Sequence, residues 1–151
     1  MKIGSKGLGL IKKFEGFFSK PYLCPAGVPT IGYGLTYYPS DKRKVTLKDK
    51  PITEQVASQM LIEVLVIYEK EVLRFVKKTL TQNQFDALVS FCYNVGGTNL
   101  GKSTLLKKIN INPNDPSIAS EFAKWNKAGG RVLAGLVKRR LEESNLYFSK
   151  S

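Results

Sequence analysis

Apolar residues recur along this chain with two different periods, and the change of period divides it. Leu8, Ile11 and Phe14 stand three residues apart, a spacing that gathers one helical face. The pattern predicts a helix over Lys6 to Glu15, with Ser5 as its N-cap and Gly16 as its stop. From Tyr22 to Thr36 the helical period disappears. Pro21, Pro25, Gly27, Pro29, Gly32 and Gly34 interrupt a run whose other members, Tyr22, Leu23, Val28, Ile31 and Tyr33, favour strands. That composition predicts a small twisted hairpin, Tyr22–Cys24 and Pro29–Gly34, turning over Pro25–Gly27. A polar, basic loop follows to Lys50, with one more short strand expected near Val45–Leu47.

Thr53 opens a long helical pattern carried by Val56, Met60, Leu61, Val64, Leu65, Tyr68, Val72 and Phe75 and running to about Lys78. Some 25 residues at a rise of ~1.5 Å make a rod of roughly 40 Å, long enough to join two lobes. Thr81-Gln82-Asn83-Gln84 is a capping box, and the helix it opens is expected to end near Gly96–Gly97. Short helices are expected at Ser103–Ile109 and from Asp115-Pro116 to Gly129–Gly130, with a last one over Leu136–Tyr147. The plan is α+β: a first lobe over about 15–52, a connecting helix over about 53–79, and a helical lobe over about 80–151 with the N-terminal helix packed near it.

Composition narrows the chemistry. The 151 residues include 24 Lys or Arg, 12 Asp or Glu and no histidine, for a net charge of +12. Without histidine, Ser-His-Asp and Cys-His catalysis and most zinc sites are excluded; neither a metal nor a cofactor is expected. The surplus of positive charge points to a polyanionic partner. Cys24 and Cys92 form no CxxC pair and no disulfide framework. Residues Met1 to Phe14 lack the uninterrupted apolar stretch of a signal peptide, so synthesis in a reducing cytoplasm is expected.

Glu15 is the only acidic residue before Asp41; Cys24 follows nine positions later and Thr30 fifteen. A helix end facing a hairpin brings an acid, a thiol and a hydroxyl toward one point, an arrangement suited to general acid catalysis. On residues alone the reading stays open. Glu beside Gly at a helix end is also an ordinary solvated charge, a single Cys an ordinary small core residue, and an Ile-Gly-Tyr-Gly strand a place of close backbone approach. Cys92, in an apolar helix, reads as core, as do Phe122 and Trp125. The Lys138-Arg139-Arg140 run reads first as a solvated face.

Glu15-Gly16, Cys24, Thr30 and Ile31-Gly32-Tyr33-Gly34, with Leu80–Gly96, Ser103–Leu106, Phe122–Gly130 and Leu133–Arg140, together resemble the phage-type lysozymes and endolysins. The resemblance spans nearly the whole chain. It implies a lysozyme-like fold with a cleft between the lobes, and hydrolysis of the β-1,4 bond between N-acetylmuramic acid and N-acetylglucosamine in bacterial peptidoglycan. By the same resemblance Glu15 is the general acid, and Cys24 takes a position usually held by Asp, as base, nucleophile or water-orienting partner. Thr30 supports the water; Tyr33, Tyr93 and Thr104 line the sugar cleft. Inversion at the anomeric carbon is the expected outcome. Leu35 stands where the family often has histidine. The partners implied are peptidoglycan, with anionic envelope polymers or lipopolysaccharide, and no nucleic acid. A monomer is expected, released to the periplasm through a holin. Two alternatives remain in other classes: a non-catalytic polyanion binder, and a membrane-disrupting protein acting through its basic C-terminal helix.

Overall fold

The computed structural model describes all 151 residues. They divide into two compact units, Glu15–Val66 and a second made of Met1–Phe14 with Ile67–Ser151.

The helical unit is built on helix α3 (Gln82–Val95), every residue of which from Asn83 to Cys92 is buried. Its start is the expected capping box: the Thr81 hydroxyl accepts from the Gln84 amide at 3.1 Å, and the Gln84 side chain accepts from the Thr81 amide at 2.9 Å. Helix α7 (Ala134–Phe148) packs along α3. Phe91 of α3 meets Phe122 and Trp125 edge to face, each at 5.6 Å between ring centres. Phe122 is fully buried and Trp125 half-buried.

The N-terminal helix α1 (Ser5–Glu15) starts one residue earlier than its sequence predicts, and Ser5 is not its cap. Gly4 takes that position, its carbonyl accepting from the Leu8 amide. Remote carboxylates serve the free amides at this end. Asp86 of α3 accepts from the amides of Gly4 at 2.9 Å and Gly7 at 3.1 Å, and Glu69 accepts from the amide of Ile3 at 2.7 Å. Negative charge at a helix N-terminus also opposes the macrodipole favourably. The approach is so close that a Cβ on Gly7 would lie 2.6 Å from the Asp86 Cβ and 2.9 Å from Ile3.

Helix α2 (Glu54–Phe75) has 22 residues, about 33 Å long. It stops short of Lys78 because Asn110 intervenes: its amide donates to the Phe75 carbonyl at 3.1 Å, and its side-chain oxygen accepts from the Lys77 amide at 2.7 Å. Val56, read as part of the buried stripe, is 46% exposed, and Ala57 is buried instead.

Beyond α3 lie helices α4 (Gly97–Lys102), α5 (Thr104–Ile111, capped by Ser103) and α6 (Ile118–Ala123). No separate pattern of residues marks α4. Nor does one helix run from Asp115-Pro116 to Gly129. α6 is a short helix, followed by a hairpin of β3 (Lys127–Ala128) and β4 (Arg131–Val132). Gly129 and Gly130, at φ of 58° and 77°, form its turn, the two-glycine geometry that closes tight hairpins.

Of the run Lys138-Arg139-Arg140, read as a solvated face, only Lys138 is exposed. Arg139 and Arg140 are 3% and 1% exposed. They flank the buried carboxylate of Glu143, whose two oxygens lie 2.7 Å from Arg140 and 3.3 Å from Arg139. Ser90 donates to the same carboxylate at 2.6 Å. Three ionised groups are tolerated here because each meets an opposite charge or an acceptor.

In the other unit, β1 (Phe18–Leu23) and β2 (Pro29–Gly32) pair antiparallel, with Tyr22 opposite Thr30 and Leu23 opposite Pro29. The register slips between Phe18 and Tyr22, around Pro21, which has no amide to give the ladder. No third strand forms at Val45–Leu47; only an isolated bridge joins Tyr37 and Lys44, and the Val45 amide bonds to the Thr36 carbonyl.

Two glycines of α1 make a paired test. Gly9 has nothing within 4 Å of a built Cβ, so Gly9→Ala should stabilise by about 0.5–1 kcal/mol, raising the melting temperature by about 1–4 °C. Gly7→Ala should destabilise by about 1–3 kcal/mol through overpacking against Asp86. Calorimetry of both variants checks the sign; a stabilising Gly7→Ala would contradict this account of how α1 is seated.

Candidate active site

Glu15 is the last residue of α1 and is partly exposed. Cys24 follows β1 as the first residue of the turn, also partly exposed, and Thr30 lies in β2 at 3% exposure. The turn closes tightly. The Cys24 amide donates to the Val28 carbonyl at 3.0 Å, and the Gly27 amide to the Cys24 carbonyl at 2.8 Å. Residues 24 and 28 therefore continue the ladder in which Tyr22 faces Thr30. Strand side chains alternate in face, which puts Tyr22, Cys24 and Thr30 on one side of the hairpin.

The turn surrounds the sulfur with donors. The thiol ionises below its ordinary range, chiefly because the Val28 amide donates to it; the Ala26 and Cys24 amides and the Thr30 hydroxyl help, against a desolvation penalty. The Thr30 hydroxyl also lies 2.8 Å from the Val28 carbonyl. Its single proton serves one acceptor at a time, so it can turn toward sulfur when the thiol loses its own.

Glu15 reaches the same neighbourhood. Tyr22 has its phenol pushed above the ordinary value, first by burial, then by the charge of Glu15 and that of Cys24. One hydroxyl thus feels both the acid and the thiol. Its ring is stacked on Phe18, with centres 4.1 Å apart. Tyr22 was not singled out from sequence, although its position two residues before Cys24 was a usable signal.

The other expected site residues differ in setting. Tyr33 is only 6% exposed; its hydroxyl donates to Glu54 at 2.7 Å and its ring lies 5.7 Å from that of Phe17. It offers little surface, and its role here is to tie the end of the hairpin to the first turn of α2. Glu54 had no place in the sequence reading. Tyr93 and Thr104 belong to the helical unit. Tyr93 is half-buried on α3, edge to face with Tyr68 at 5.1 Å, and Thr104 is exposed in the first turn of α5. Cys92 is core, as expected. Burial, with a smaller contribution from Glu71, pushes its thiol up to about 12. No group of three or more Cys, Asp or Glu side chains is placed to hold a metal ion.

Comparison with known proteins gives the setting of these residues. The phage lysozyme family model matches residues 12–143. An endolysin of Bacillus phage B103 is 43% identical over 99% of this chain, which spans 55% of that protein's length. The chain likewise spans 56% of the endolysin of Bacillus phage PZA, so it corresponds to about half of these Bacillus phage relatives. An endolysin of Acyrthosiphon pisum secondary endosymbiont phage 1 is 43% identical, with 99% of each chain covered. Among solved structures, the endolysin of Escherichia coli O157:H7 phage FAHEc1 superposes with a TM-score of 0.89 at 36% identity, covering 98% of this chain and 94% of its own.

The two thiols should separate sharply in reactivity, since the thiolate is the attacking species. In the native protein iodoacetamide should modify Cys24 with a pH midpoint below that of a free thiol, about 8.5. Cys92 should react only after unfolding. Mass spectrometry of native protein labelled across pH 6 to 10 reads the Cys24 midpoint, on the order of the thiol range, with Cys92 unlabelled; a Cys24 midpoint at or above that of a free thiol would refute the donor arrangement at the turn.

Proposed function

The chain belongs to the phage lysozyme family, and we propose that it is a peptidoglycan muramidase, hydrolysing the β-1,4 bond between N-acetylmuramic acid and N-acetylglucosamine. The observation that carries the proposal is the β1–β2 register, which sets Cys24 and Thr30 on one face of the hairpin that directly follows Glu15. An acid and a proton acceptor around one point is the minimum equipment for glycoside hydrolysis.

In this mechanism Glu15 gives its proton to the departing glycosidic oxygen. A water attacks the anomeric carbon and passes a proton to Cys24, whose thiolate the turn amides stabilise. The Thr30 hydroxyl steers that water. The outcome is inversion: both carbon–oxygen changes occur at one carbon from opposite sides, and no sugar remains attached to sulfur. Tyr33 supports the hairpin under the saccharide; Tyr93 and Thr104 keep the sugar-binding role that the family resemblance implies.

Charge favours a further partner. The helical unit carries 18 Lys or Arg against 7 Asp or Glu, while the other unit carries 6 against 5. Nearly all of the surplus is therefore in the helical unit, where it can hold the enzyme to anionic envelope polymers. The protein acts as a monomer. Like phage endolysins it is released to reach peptidoglycan; passage through a holin lesion is our proposal for the route. Expression in a Gram-negative host should cause lysis with a co-expressed holin and none without it.

Reducing-end release from purified peptidoglycan tests the chemistry. Glu15→Gln should lose activity by about 10²–10⁴-fold, the usual contribution of a general acid. Cys24→Asp should remain active, with its activity appearing at lower pH because a carboxylate ionises near pH ~4 where a thiol needs alkali. Cys24→Ala should fall with Glu15→Gln. Full turnover by Cys24→Ala would remove the sulfur from the mechanism, and full turnover by Glu15→Gln would end the muramidase reading itself.

A further inference from the structure

Tyr22 is a polar group at the reaction site that the mechanism above does not use. It lies opposite Thr30 in the β1–β2 register and two residues before Cys24. Directly opposed residues of an antiparallel pair share a face, with Cβ atoms about 4.5–5.5 Å apart. The ring does not hang free. Phe18 covers it at 4.1 Å between centres, with the planes tilted by 31°, which fixes where the hydroxyl can go. Half-burial of the residue leaves part of it open to solvent.

The phenol makes no hydrogen bond within the protein. Every other element of this face is committed: the Thr30 hydroxyl to Val28 and the sulfur, and the sulfur to the turn amides. A braced phenol with an unspent proton beside an acid and a thiol is a preorganised donor. Burial, and after it the negative charge of Glu15 and Cys24, disfavours the phenolate, so the group is held in its protonated, donating form.

We infer that Tyr22 is a substrate-contacting residue, donating a hydrogen bond from its hydroxyl to a saccharide oxygen beside the bond being cleaved. The inference rests on the muramidase reading. It goes beyond that reading by assigning a further group on the hairpin, one that recognises the glycan and handles no proton. A donor so close to Glu15 and Cys24 meets the sugar where charge develops as the glycosidic bond opens. Its hydrogen bond strengthens toward the transition state, and kcat is the parameter it raises.

Tyr22→Phe isolates the hydroxyl, because the ring and its stacking on Phe18 are kept. On purified peptidoglycan kcat should fall about 10–100-fold, with KM changed less than about threefold, as expected for an interaction realised mainly in the transition state. The melting temperature should be unchanged. The rate and pH midpoint of Cys24 alkylation should also match wild type, which a role exerted through the thiol would not allow. Tyr22→Ala, which also loses the stack, should lower both activity and stability. Wild-type kcat in Tyr22→Phe would overturn the inference, as would a loss of activity accompanied by a shifted Cys24 midpoint. Wild type and Glu15→Gln run beside it keep the two ideas separate. If wild type releases no reducing ends, the muramidase reading fails; if only Tyr22→Phe matches wild type, the inference on Tyr22 fails alone.

Discussion

Asp86 sits almost fully buried in α3 and accepts three hydrogen bonds: two from backbone amides of Gly4 and Gly7, and one at 2.7 Å from the Gln82 side chain. Bonds to an ionised acceptor are worth more than neutral ones, and a buried carboxylate without them would be costly. The chain therefore has one way to satisfy this group, which is to bring the start of α1 down onto α3. Gly7 permits the approach, because no side chain stands between the two backbones. Eight residues on, about 12 Å along the helix axis, lies Glu15. The same contacts therefore seat the helix whose last residue is Glu15. Lys13, paired with Glu142 of α7 at 2.7 Å, adds little energy at the surface but agrees with the same seating.

A second buried charge cluster has a different logic. Glu143 between Arg139 and Arg140 contributes little net stability, since desolvation offsets much of the attraction and apolar residues could fill the space as well. What it fixes is register. Arg140 also lies over Phe91, 5.1 Å from the ring centre, and near the Trp125 carbonyl at 3.4 Å. Slipping α7 by one residue would strand three charges and vacate the face of Phe91. α3 and α7 are therefore held in one alignment by the cost of alternatives.

The helices whose signals are local were legible. The Thr81 capping box and the three-residue spacing from Leu8 to Phe14 are set by neighbours in sequence, and the structure follows them. What failed depends on distant partners. Asn110 ends α2 from another helix, and Asp86 replaces Ser5 as the cap of α1. The burial of Arg139 and Arg140 requires Glu143 and Ser90 to be in place, and a basic triplet carries no sign of that. The glycine pair at 129–130 was read as a helix stop when it is a hairpin turn; strands of two residues are too short for any periodicity to show. In the candidate site, the pairing of Cys24 with Thr30 on one face was legible because a hairpin folds residues a few positions apart back against each other. The donors around the sulfur were not, being backbone amides that any residue possesses. Tyr22 was hidden for the opposite reason: an aromatic in a strand already has a sufficient structural explanation.

The turn at 24–28 also bears on the proposal that a sulfur works at the position where the phage lysozyme resemblance implies an Asp. Amide donors are fixed by the backbone, so they are aimed before any side chain is chosen. They favour an anion at residue 24 without discriminating between oxygen and sulfur, as backbone anion sites generally do. A carboxylate already ionised at neutral pH gains mainly orientation from them. A thiol gains ionisation as well, and its lowered value here has the Val28 amide as its first cause. The longer C–S bond and diffuse charge make the sulfur less demanding of exact placement, while the Thr30 proton can follow whichever acceptor bears the charge. Substituting one anion for another then alters the pH at which the site is competent and leaves its geometry in the hands of the main chain.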